Sequence, residues 1–382
     1  MFLLTLFLIF LLNLSFGIEL EYNANQESRV KRAIITKRKF NYTRPIRYYI
    51  KFANPVKHIH DSFAYLSEQT CLEFEKRKKS FKSTGIIFEI SDCNEILPGM
   101  DTGKATIVQL DLQCLNNIGC VKHHIGLALG LIPHTIRWDR KDYITLHKKN
   151  IKHEFSERYK KFNGYHVRIF NTPFDFGSLT NYERDYGADG NNFTYSAKIN
   201  ELYNNMLGQR EEFSFNDIKL LNDFYCSNKC PKKIKGCING GYPDPKDCLS
   251  CRCPLGYRKK LCGIPEPSTG ECGPSKLVAS TQYKTLEIKT GKDKVCNHLI
   301  SSPIRTKVEV VVVEVNTKKK AVCTPKEALE IRHRHNKGAV GLSFCGKYKN
   351  ISLKPYFSQV LVRYEGSDNQ KYKAIIKYRA VR

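Results

Sequence analysis

The density of cysteines changes sharply along this chain of 382 residues and so divides it into regions. Six of its fifteen cysteines fall between Cys230 and Cys262. So short a segment cannot bury an adequate core without cross-links. A zinc knuckle is the weaker alternative to disulfides, because no histidine lies within this block. The block therefore predicts a small disulfide-stapled module between two larger domains.

The first seventeen residues, MFLLTLFLIFLLNLSFG, predict a secretory signal peptide, since their apolar run is short and closes on small residues. No later run approaches the ~18 apolar residues that a spanning helix needs. We therefore expect a secreted, extracellular protein without a membrane anchor, and the number of cysteines fits that compartment.

A basic run, Arg29-Val30-Lys31-Arg32, has the pattern of a proprotein-convertase site. Cleavage after Arg32 would leave a short propeptide, 18–32, and a mature N-terminus at Ala33. The alternative is an exposed basic linker. Three Asn-x-Ser/Thr sequons become glycosylation sites if the protein is secreted, at Asn41, Asn192 and Asn350.

The net charge, 63 − 37 = +26, favours contact with polyanions such as sulfated glycans. The basic residues come in short scattered runs, such as 76–79 and 318–320, so solubilising surface charge is the competing interpretation. Secretion argues against nucleic acid as a partner.

Residues 47–112 alternate between strand and helix patterns, with an amphipathic helix at 56–69, and predict an α+β domain. After Cys272 the chain has short strand patterns separated by turns, which predict an all-β sandwich. The run 308–315 is nearly continuous in β-branched residues and should be a central strand.

Particular motifs add a family resemblance. Ala128-Leu129-Gly130 is followed seven residues later by Arg137-Trp138-Asp139-Arg140, and Phe174-Asp175-Phe176-Gly177-Ser178 comes further on. With Cys237-Ile-Asn-Gly-Gly-Tyr, Cys253-Pro-Leu-Gly-Tyr and the Cys323–Cys345 segment, the chain resembles the astacin zinc metalloendopeptidases in their nematode-type arrangement. The resemblance implies an α+β astacin-like (metzincin) catalytic-type domain, then a disulfide-rich EGF-like module and an all-β CUB sandwich. The implied boundaries are 1–17 signal, 18–32 propeptide, 33–228 peptidase-type domain, 229–263 EGF-like module and 272–382 CUB domain.

The resemblance also implies a disulfide pattern, and it leaves Cys120 over as a buried free thiol, with an intermolecular bridge as the alternative. The implied pairs are Cys71–Cys226, Cys93–Cys114, Cys230–Cys248, Cys237–Cys251, Cys253–Cys262, Cys272–Cys296 and Cys323–Cys345.

Such a protease holds zinc with three imidazoles and activates water with a glutamate, in the pattern His-Glu-x-x-His-x-x-Gly-x-x-His. Aligned on Gly130, this chain retains only the first ligand, His123. His124 occupies the general-base position, and Leu127 and Pro133 replace the other two ligands. The resemblance implies zinc as cofactor, but one histidine does not hold it at useful affinity, and we expect that it is not bound. A rearranged site of His123, His124 and His134 is the alternative.

Further family positions have changed. His134 stands where a glutamate would tie down the mature N-terminal amine. In the Ser-x-Met-His-Tyr turn, Thr180 and Asn181 replace methionine and histidine, while Tyr182 keeps the position of the metal-side tyrosine. Thr324-Pro325-Lys326 follows Cys323 and lacks the acidic residue of a calcium-binding CUB domain.

The sequence thus predicts a secreted pseudoprotease that binds an extracellular protein or matrix partner through its EGF and CUB modules. An active zinc metalloendopeptidase with a rearranged site is the alternative, and a relic of gene duplication is a third possibility.

Overall fold

The computed structural model describes residues 42–98, 102–162, 169–291, 294–366 and 372–382. The predicted signal peptide, the propeptide, the cleavage site at Arg32 and the sequon at Asn41 lie outside these described residues. Within them, no helix is long and apolar enough to cross a membrane.

An α+β layer opens the described chain. Its sheet consists of β1 (Ile46–Ile50), β2 (Phe74–Lys76), β3 (Gly85–Ile90), β4 (Glu95–Leu97) and β5 (Ala105–Leu110). The strand order is β2-β1-β3-β5-β4, and only β4 runs antiparallel to its neighbour. The sequence patterns predicted each of these strands except the short β4. The described α-helices are α1 (Lys57–Gln69), α2 (Leu112–Leu115), α3 (Ile118–Ala128) and α4 (Phe215–Tyr225).

The helices pack against the sheet through apolar faces. In α1, Ile59, Phe63 and Leu66 are buried at the spacing that places side chains on one helix face. Helix α4 starts with a capping box in which the side chains of Ser214 and Asp217 each accept from the other's main chain. Short 3₁₀ helices connect the remaining segments, at His134–Ile136, Arg140–Asp142, Lys148–Asn150, His153–Tyr159 and Glu201–Met206.

Short strand pairs follow. The first consists of β6 (Ile144–Leu146) and β7 (Tyr195–Ala197). The disulfide-rich module contains β8 (Tyr242–Pro243), β9 (Cys251–Arg252), β10 (Tyr257–Arg258) and β11 (Ile264–Pro265).

The C-terminal part forms two sheets. Its strands are β12 (Lys276–Val278), β13 (Lys284–Thr290), β14 (Val295–Ser301), β15 (Lys307–Asn316), β16 (Leu329–Arg332), β17 (Leu342–Phe344), β18 (Lys347–Leu353), β19 (Gln359–Glu365) and β20 (Tyr372–Val381). One sheet has the order β12-β14-β19-β16-β17 and the other β13-β20-β15-β18. Strand β15 lies between two neighbours, so the expected central strand is confirmed.

The β-sandwich packs directly on the segment that follows the zinc-helix region. Phe174, Phe176 and Tyr203 share one apolar core with buried sandwich residues such as Val340 and Leu342. The sheet of β1 to β5 has a separate core with α1, α3 and α4. The described residues of 144–162 and 169–207 are therefore joined to the sandwich by a continuous apolar contact and not only by a linker.

Six disulfides join pairs that the resemblance implies: Cys71–Cys226, Cys230–Cys248, Cys237–Cys251, Cys253–Cys262, Cys272–Cys296 and Cys323–Cys345.

The expected Cys93–Cys114 pair is wrong in this structure, and so is the expected free thiol at Cys120. Cys114 is bonded to Cys120, with their Cα atoms 5.2 Å apart, and Cys93 is free and exposed. The reason is local, because α2 and α3 meet across a short turn. Asp111 caps the amide of Cys114, and Asn117 caps that of Cys120. Both cysteines therefore lie near the starts of adjoining helices.

Candidate functional site

Helix α3 carries the positions at which a zinc site is expected. Its N-cap, Asn117, accepts from the amide of Cys120 at 3.0 Å. The helix ends at Ala128, and Gly130 two residues further on has a φ of 97°, the left-handed conformation that glycine supplies. The amide of Leu131 returns to the oxygen of Gly126, and that of Gly130 to the oxygen of Leu127, which completes a Schellman motif. Gly130 is thus needed to stop the helix.

His123 is buried on this helix and held in one orientation. Its Nδ1 donates to the main-chain oxygen of Leu179 at 2.8 Å. Burial lowers the pKa of His123 well below its ordinary value, and the charge of Arg210 and the neighbouring His124 lower it further. A metal-ligating histidine commonly donates its second ring N–H in this way. His123 is therefore neutral and oriented as a metal-binding imidazole would be.

Arg210 shares the acceptor of His123. Its guanidinium donates to the oxygens of Leu179 at 3.1 Å and Asn181 at 3.0 Å, and it pairs with Glu183 at 2.6 Å. A fixed cation this close to His123 disfavours a divalent ion there. No sequence signal pointed to this residue, since its position follows from the folding of a distant loop onto α3.

His124, at the general-base position, turns toward its own helix. Its Nδ1 donates to the oxygen of Cys120 at 2.9 Å and lies 3.7 Å from Sγ of Cys114 and 3.8 Å from Sγ of Cys120. A glutamate at this position would take a proton from metal-bound water. An imidazole oriented in this way is instead a packing partner of the disulfide.

Leu127 and Pro133 contribute no donor atoms at the other two ligand positions. Leu127 packs against the core of α1, α3 and α4, and Pro133 is buried just before the 3₁₀ helix His134–Ile136. His134 accepts from the amide of Asp175 at 2.9 Å through Nδ1. Burial lowers the pKa of His134 well below its ordinary value, with contributions from Arg137 and Arg334.

The donor set does not fit a tetrahedral zinc site. Among the described residues, the only group of three or more His, Cys, Asp or Glu side chains with ligand-like spacing is Cys114, Cys120 and His124. Its two sulfurs are bonded to each other, so neither is the thiolate that binds metal. The rearranged combination of His123, His124 and His134 is not brought together in such a group.

The turn 178–182 is held by hydrogen bonds that involve the replaced residues. Thr180 donates through its hydroxyl to the oxygen of Ile132 at 2.8 Å. Asn181 donates to the oxygen of Asp175 at 2.9 Å and accepts from the amide of His134 at 3.2 Å. The substituted side chains thus tie this turn to the segment after α3.

Asp217 anchors the same turn from α4. It accepts from the hydroxyl of Ser178 at 2.6 Å and the amide of Leu179 at 2.9 Å. Burial, reinforced by the neighbouring Asp175, raises the pKa of Asp217 to about 6. The Ser-x-x-Asp spacing of the capping box is visible in the sequence, but it does not indicate that Asp217 also binds the distant turn 178–182.

Tyr182 lies in an aromatic cluster. Its ring stacks on Tyr186 at 4.4 Å and meets the edge of Tyr159 at 5.5 Å. Its hydroxyl donates to the oxygen of Arg158 at 3.5 Å. These contacts with other protein groups are sufficient to fix the position of Tyr182.

The other expected modification and ligand positions lie elsewhere. Asn192 and Asn350 are exposed, as glycan attachment requires. After Cys323, Thr324 is buried and its hydroxyl donates to Glu211 at 2.7 Å.

A cavity of about 1190 Å³ lies between the N-terminal domain and the sandwich. Arg210, Glu211 and Phe213 contribute to one wall, and Lys320 and Arg363 to the other. Neither His123 nor Tyr182 lines it. This cavity is therefore separate from the expected metal position.

Comparison with known proteins identifies the N-terminal domain. The model of the astacin peptidase family matches residues 33–226. The chain belongs to the astacin family. Its zinc-helix region, with His123, and its 178–182 turn both lie within the matched range.

Curated relatives of this astacin chain are nematode zinc metalloproteinases. Dpy-31 of Brugia malayi is 30% identical over 72% of this chain and 47% of its own length. Nas-30 of Caenorhabditis elegans is 29% identical over 88% of this chain and 45% of its own length. Nas-34 of the same species is 29% identical over 69% of this chain and 42% of its own length. The chain spans about half the length of these relatives.

Two solved structures are also similar. The hatching enzyme zinc-protease HCE-1 of the medaka fish Oryzias latipes is 22% identical, with a TM-score of 0.43, over 49% of this chain and 93% of its own. The CUB1-EGF-CUB2 domain of human MASP-1/3 is 18% identical, with a TM-score of 0.23, over 35% of this chain and 50% of its own.

Proposed function

We propose that this astacin homologue does not hydrolyse peptides and acts as an extracellular binding protein. The observation that carries the proposal is that His123 has no second or third metal ligand at the family's ligand positions. It is oriented as a ligand, yet the positions four and ten residues later carry Leu127 and Pro133, and a guanidinium lies beside it. One imidazole is too few donors for zinc at useful affinity.

The binding role is assigned to the C-terminal modules. The cysteines at 230–262 pair first with third, second with fourth and fifth with sixth, which supports an EGF-like module at 229–263. The two-sheet sandwich supports a CUB domain at 272–382. The main-chain amide of Val340 donates to buried Asp175 at 3.1 Å, so the sandwich is presented in a fixed position on the peptidase-type domain (33–228).

An extracellular protein or matrix component with acidic or sulfated groups is the partner class that the charge favours. The run 76–79 is exposed, and Lys78 and Lys79 carry no ion pair among the described contacts. Replacing both by Glu should lower the salt concentration that elutes the protein from immobilised heparin. The control is Lys57→Glu, which removes a lysine already paired with Asp61. Equal elution of all three proteins would remove this run as a polyanion site.

Secretion and processing complete the proposal. Expression with the native N-terminus should deliver protein to the medium that begins at Ala33, after removal of 1–17 and cleavage at Arg32. An N-glycosidase should reduce its mass, and Asn41→Gln, Asn192→Gln and Asn350→Gln should each remove part of that shift. Retention inside the cell with the N-terminal segment intact would contradict secretion.

An active zinc endopeptidase is the competing function, and the contact between His123 and Leu179 favours it because it preserves a ligand's orientation. The purified secreted chain, its His123→Ala variant and an active astacin can be compared on a peptide library. We expect cleavage only by the active astacin. Cleavage by the wild-type chain that His123→Ala abolishes would establish the competing function.

A further inference from the structure

We propose that the cavity between the peptidase-type domain and the sandwich binds a peptide segment of a partner protein, and that buried Arg363 recognises one acidic side chain of that segment. The cavity measures about 1190 Å³. That exceeds the roughly 300–1,000 Å³ of a pocket for a small molecule and leaves room for several peptide residues. The inference deepens the proposed binding role and rests on it, but it does not depend on the loss of hydrolysis.

The two walls of the cavity are held together by polar contacts between the domains. Glu211 of the peptidase-type domain pairs with Nζ of Lys320 at 3.1 Å and accepts from the hydroxyl of Thr324 at 2.7 Å. The amide of Cys323 donates to the main-chain oxygen of Asn205 at 2.6 Å. The cavity is therefore already formed in the chain alone, and a ligand would not have to order it.

Arg363 places a buried guanidinium in the cavity wall. Only 8% of its side chain is exposed, and its Nη2 pairs with Glu365 at 2.6 Å. Nε and Nη1 have no hydrogen-bond partner among the described protein groups. Buried donors of a charged group that lack acceptors are costly, and native structures rarely leave them so. A carboxylate brought by a ligand would supply the missing acceptor.

The carboxylate opposite Arg363 in the sheet is already engaged. Glu330 faces Arg363 in the register between β16 and β19. It pairs instead with Arg332 at 2.9 Å and accepts from the amide of Gly341 at 2.7 Å. Glu330 does not line the cavity, so it would not repel an acidic ligand from within the wall.

Part of the cavity wall is apolar. Ile118, Phe213 and Phe215 line it from the peptidase-type domain, and Val322 and Val340 line it from the sandwich. Covering such surface with apolar side chains is favourable. A peptide with an apolar residue near its acidic one can do this, whereas a sulfated glycan has little apolar surface to offer.

The charges at the cavity also fit one carboxylate better than a polyanion. Most of the lysines and arginines that line it are already in ion pairs: Lys318 with Glu327, Lys320 with Glu211, Arg210 with Glu183, Arg332 with Glu330 and Arg363 with Glu365. Lys326 is exposed and has no ion pair among the described contacts. The positive groups still available are thus Lys326 and the two unpartnered nitrogens of Arg363.

A peptide library tests the proposal on the full chain. N-acetylated, amidated hexapeptides carry Glu or Gln at one fixed position and random residues at the other five, and each position is fixed in turn. We expect the wild-type chain to bind Glu peptides at least tenfold more strongly than Gln peptides at one or two positions, with apolar residues selected beside them. Equal binding of both sets, or no binding to either, would overturn the proposal.

Arg363→Met shows whether the guanidinium recognises the acidic side chain. This variant should lose the preference for Glu peptides, while Arg258→Met, which removes an exposed arginine that does not line the cavity, should keep it. The midpoint of urea unfolding in Arg363→Met should be unchanged or higher, because two buried donors without partners are removed. A retained preference for Glu, or a lower midpoint, would assign Arg363 a structural role and overturn the proposal.

Val322→Trp tests the location of the site without changing a charge. A large side chain added at the cavity wall should weaken the binding of the selected Glu peptides at least tenfold. Unchanged binding in the folded variant would place the peptide elsewhere.

Two further measurements separate this site from the rest of the proposed function. Heparin should not displace the selected peptides, and displacement would favour a polyanion site and overturn the choice of a peptide. Mass spectrometry of the peptides after binding distinguishes cleavage, which would contradict the proposed loss of hydrolysis, from a failure to bind.

Discussion

Nδ1 of His123 donates a hydrogen bond to the main-chain oxygen of Leu179 across 2.8 Å, and the guanidinium of Arg210 donates to the same oxygen across 3.1 Å. The first contact orients the imidazole as a metal ligand would be oriented. The second places a cation where it opposes a metal. Together the two contacts place His123 in a hydrogen-bonded network with Leu179 and Arg210, at the helix position where the family carries a zinc ligand.

Arg210→Met tests this network. Removing the cation should raise the pKa of His123, since the charge of Arg210 is one cause of its lowering. It should also destabilise the fold by about 3 kcal/mol, because the oxygens of Leu179 and Asn181 lose a charged donor. NMR titration of the histidine and urea unfolding measure the two effects.

The control for this experiment is Arg77→Met, which breaks an exposed pair with Glu75 and should change stability by no more than about 0.5 kcal/mol. An unchanged pKa of His123 in Arg210→Met would contradict the coupling.

The contact between the peptidase-type domain and the sandwich can be tested at Gly177. A Cβ added there would lie 2.7 to 3.0 Å from the side-chain carbons of Val340. Gly177→Ala should therefore cost about 1–3 kcal/mol of unfolding free energy. Val340→Gly removes all of those carbons, so the double variant should be less destabilised than the sum of the single variants, by about 1 kcal/mol or more.

The control is Gly263→Ala, whose added Cβ meets only Ile238, at an ordinary 3.5 Å. Strictly additive effects of Gly177→Ala and Val340→Gly in a double-mutant cycle would show that the two positions do not touch in solution.

Asp217 predicts a particular dependence of stability on pH. Its pKa is raised from an ordinary 3.8 to about 6 in the fold, so the folded state binds a proton more tightly than the unfolded chain. The resulting stabilisation is fully present below pH 3.8 and is lost as the pH rises through about 6. The difference in unfolding free energy between wild type and Asp217→Asn should change by about 3 kcal/mol across this window.

Asp247→Asn is the matched control. A hydrogen bond from Ser250 lowers the pKa of this exposed carboxyl, so its effect has the opposite sign. Unfolding curves at several pH values measure both variants. A gap between wild type and Asp217→Asn that stays constant with pH would contradict the assigned environment of Asp217.

Repeating patterns predicted most of the fold. The spacing of Ile59, Phe63 and Leu66 defined α1, and the β-branched run of β15 defined a central strand. Such signals are strong because burial imposes them on many consecutive residues.

The environment of the candidate site was less predictable. The chain shows which residues occupy positions 123, 124, 127 and 133, but not that Arg210 reaches Leu179 from a separate loop. The pairing of Cys114 with Cys120 depended on the geometry of one short turn between α2 and α3. Contacts of this kind depend on how two segments meet in the folded chain, and the periodic pattern of apolar residues in the sequence carries no information about such meetings.

Restoring donors tests whether the helix frame of a zinc site persists. His123 and residue 127 lie four apart on one face of α3, so Leu127→His together with His124→Glu and Pro133→His should create a three-imidazole site whose donors outweigh the opposing charge of Arg210. We expect Co²⁺ to bind this triple variant with a tetrahedral absorption spectrum that a further His123→Ala change abolishes. A folded triple variant that binds no Co²⁺ would show that α3 and residue 133 no longer have the geometry that a three-imidazole site needs.

The zinc content of the folded protein, expressed in zinc-supplemented medium, tests most directly whether this chain holds a metal ion. Elemental mass spectrometry of the desalted wild-type chain should find no more zinc than in His123→Ala, and a chelator should not change its stability. Stoichiometric zinc that a chelator removes, and that His123→Ala lacks, would show that His123 belongs to an intact metal site.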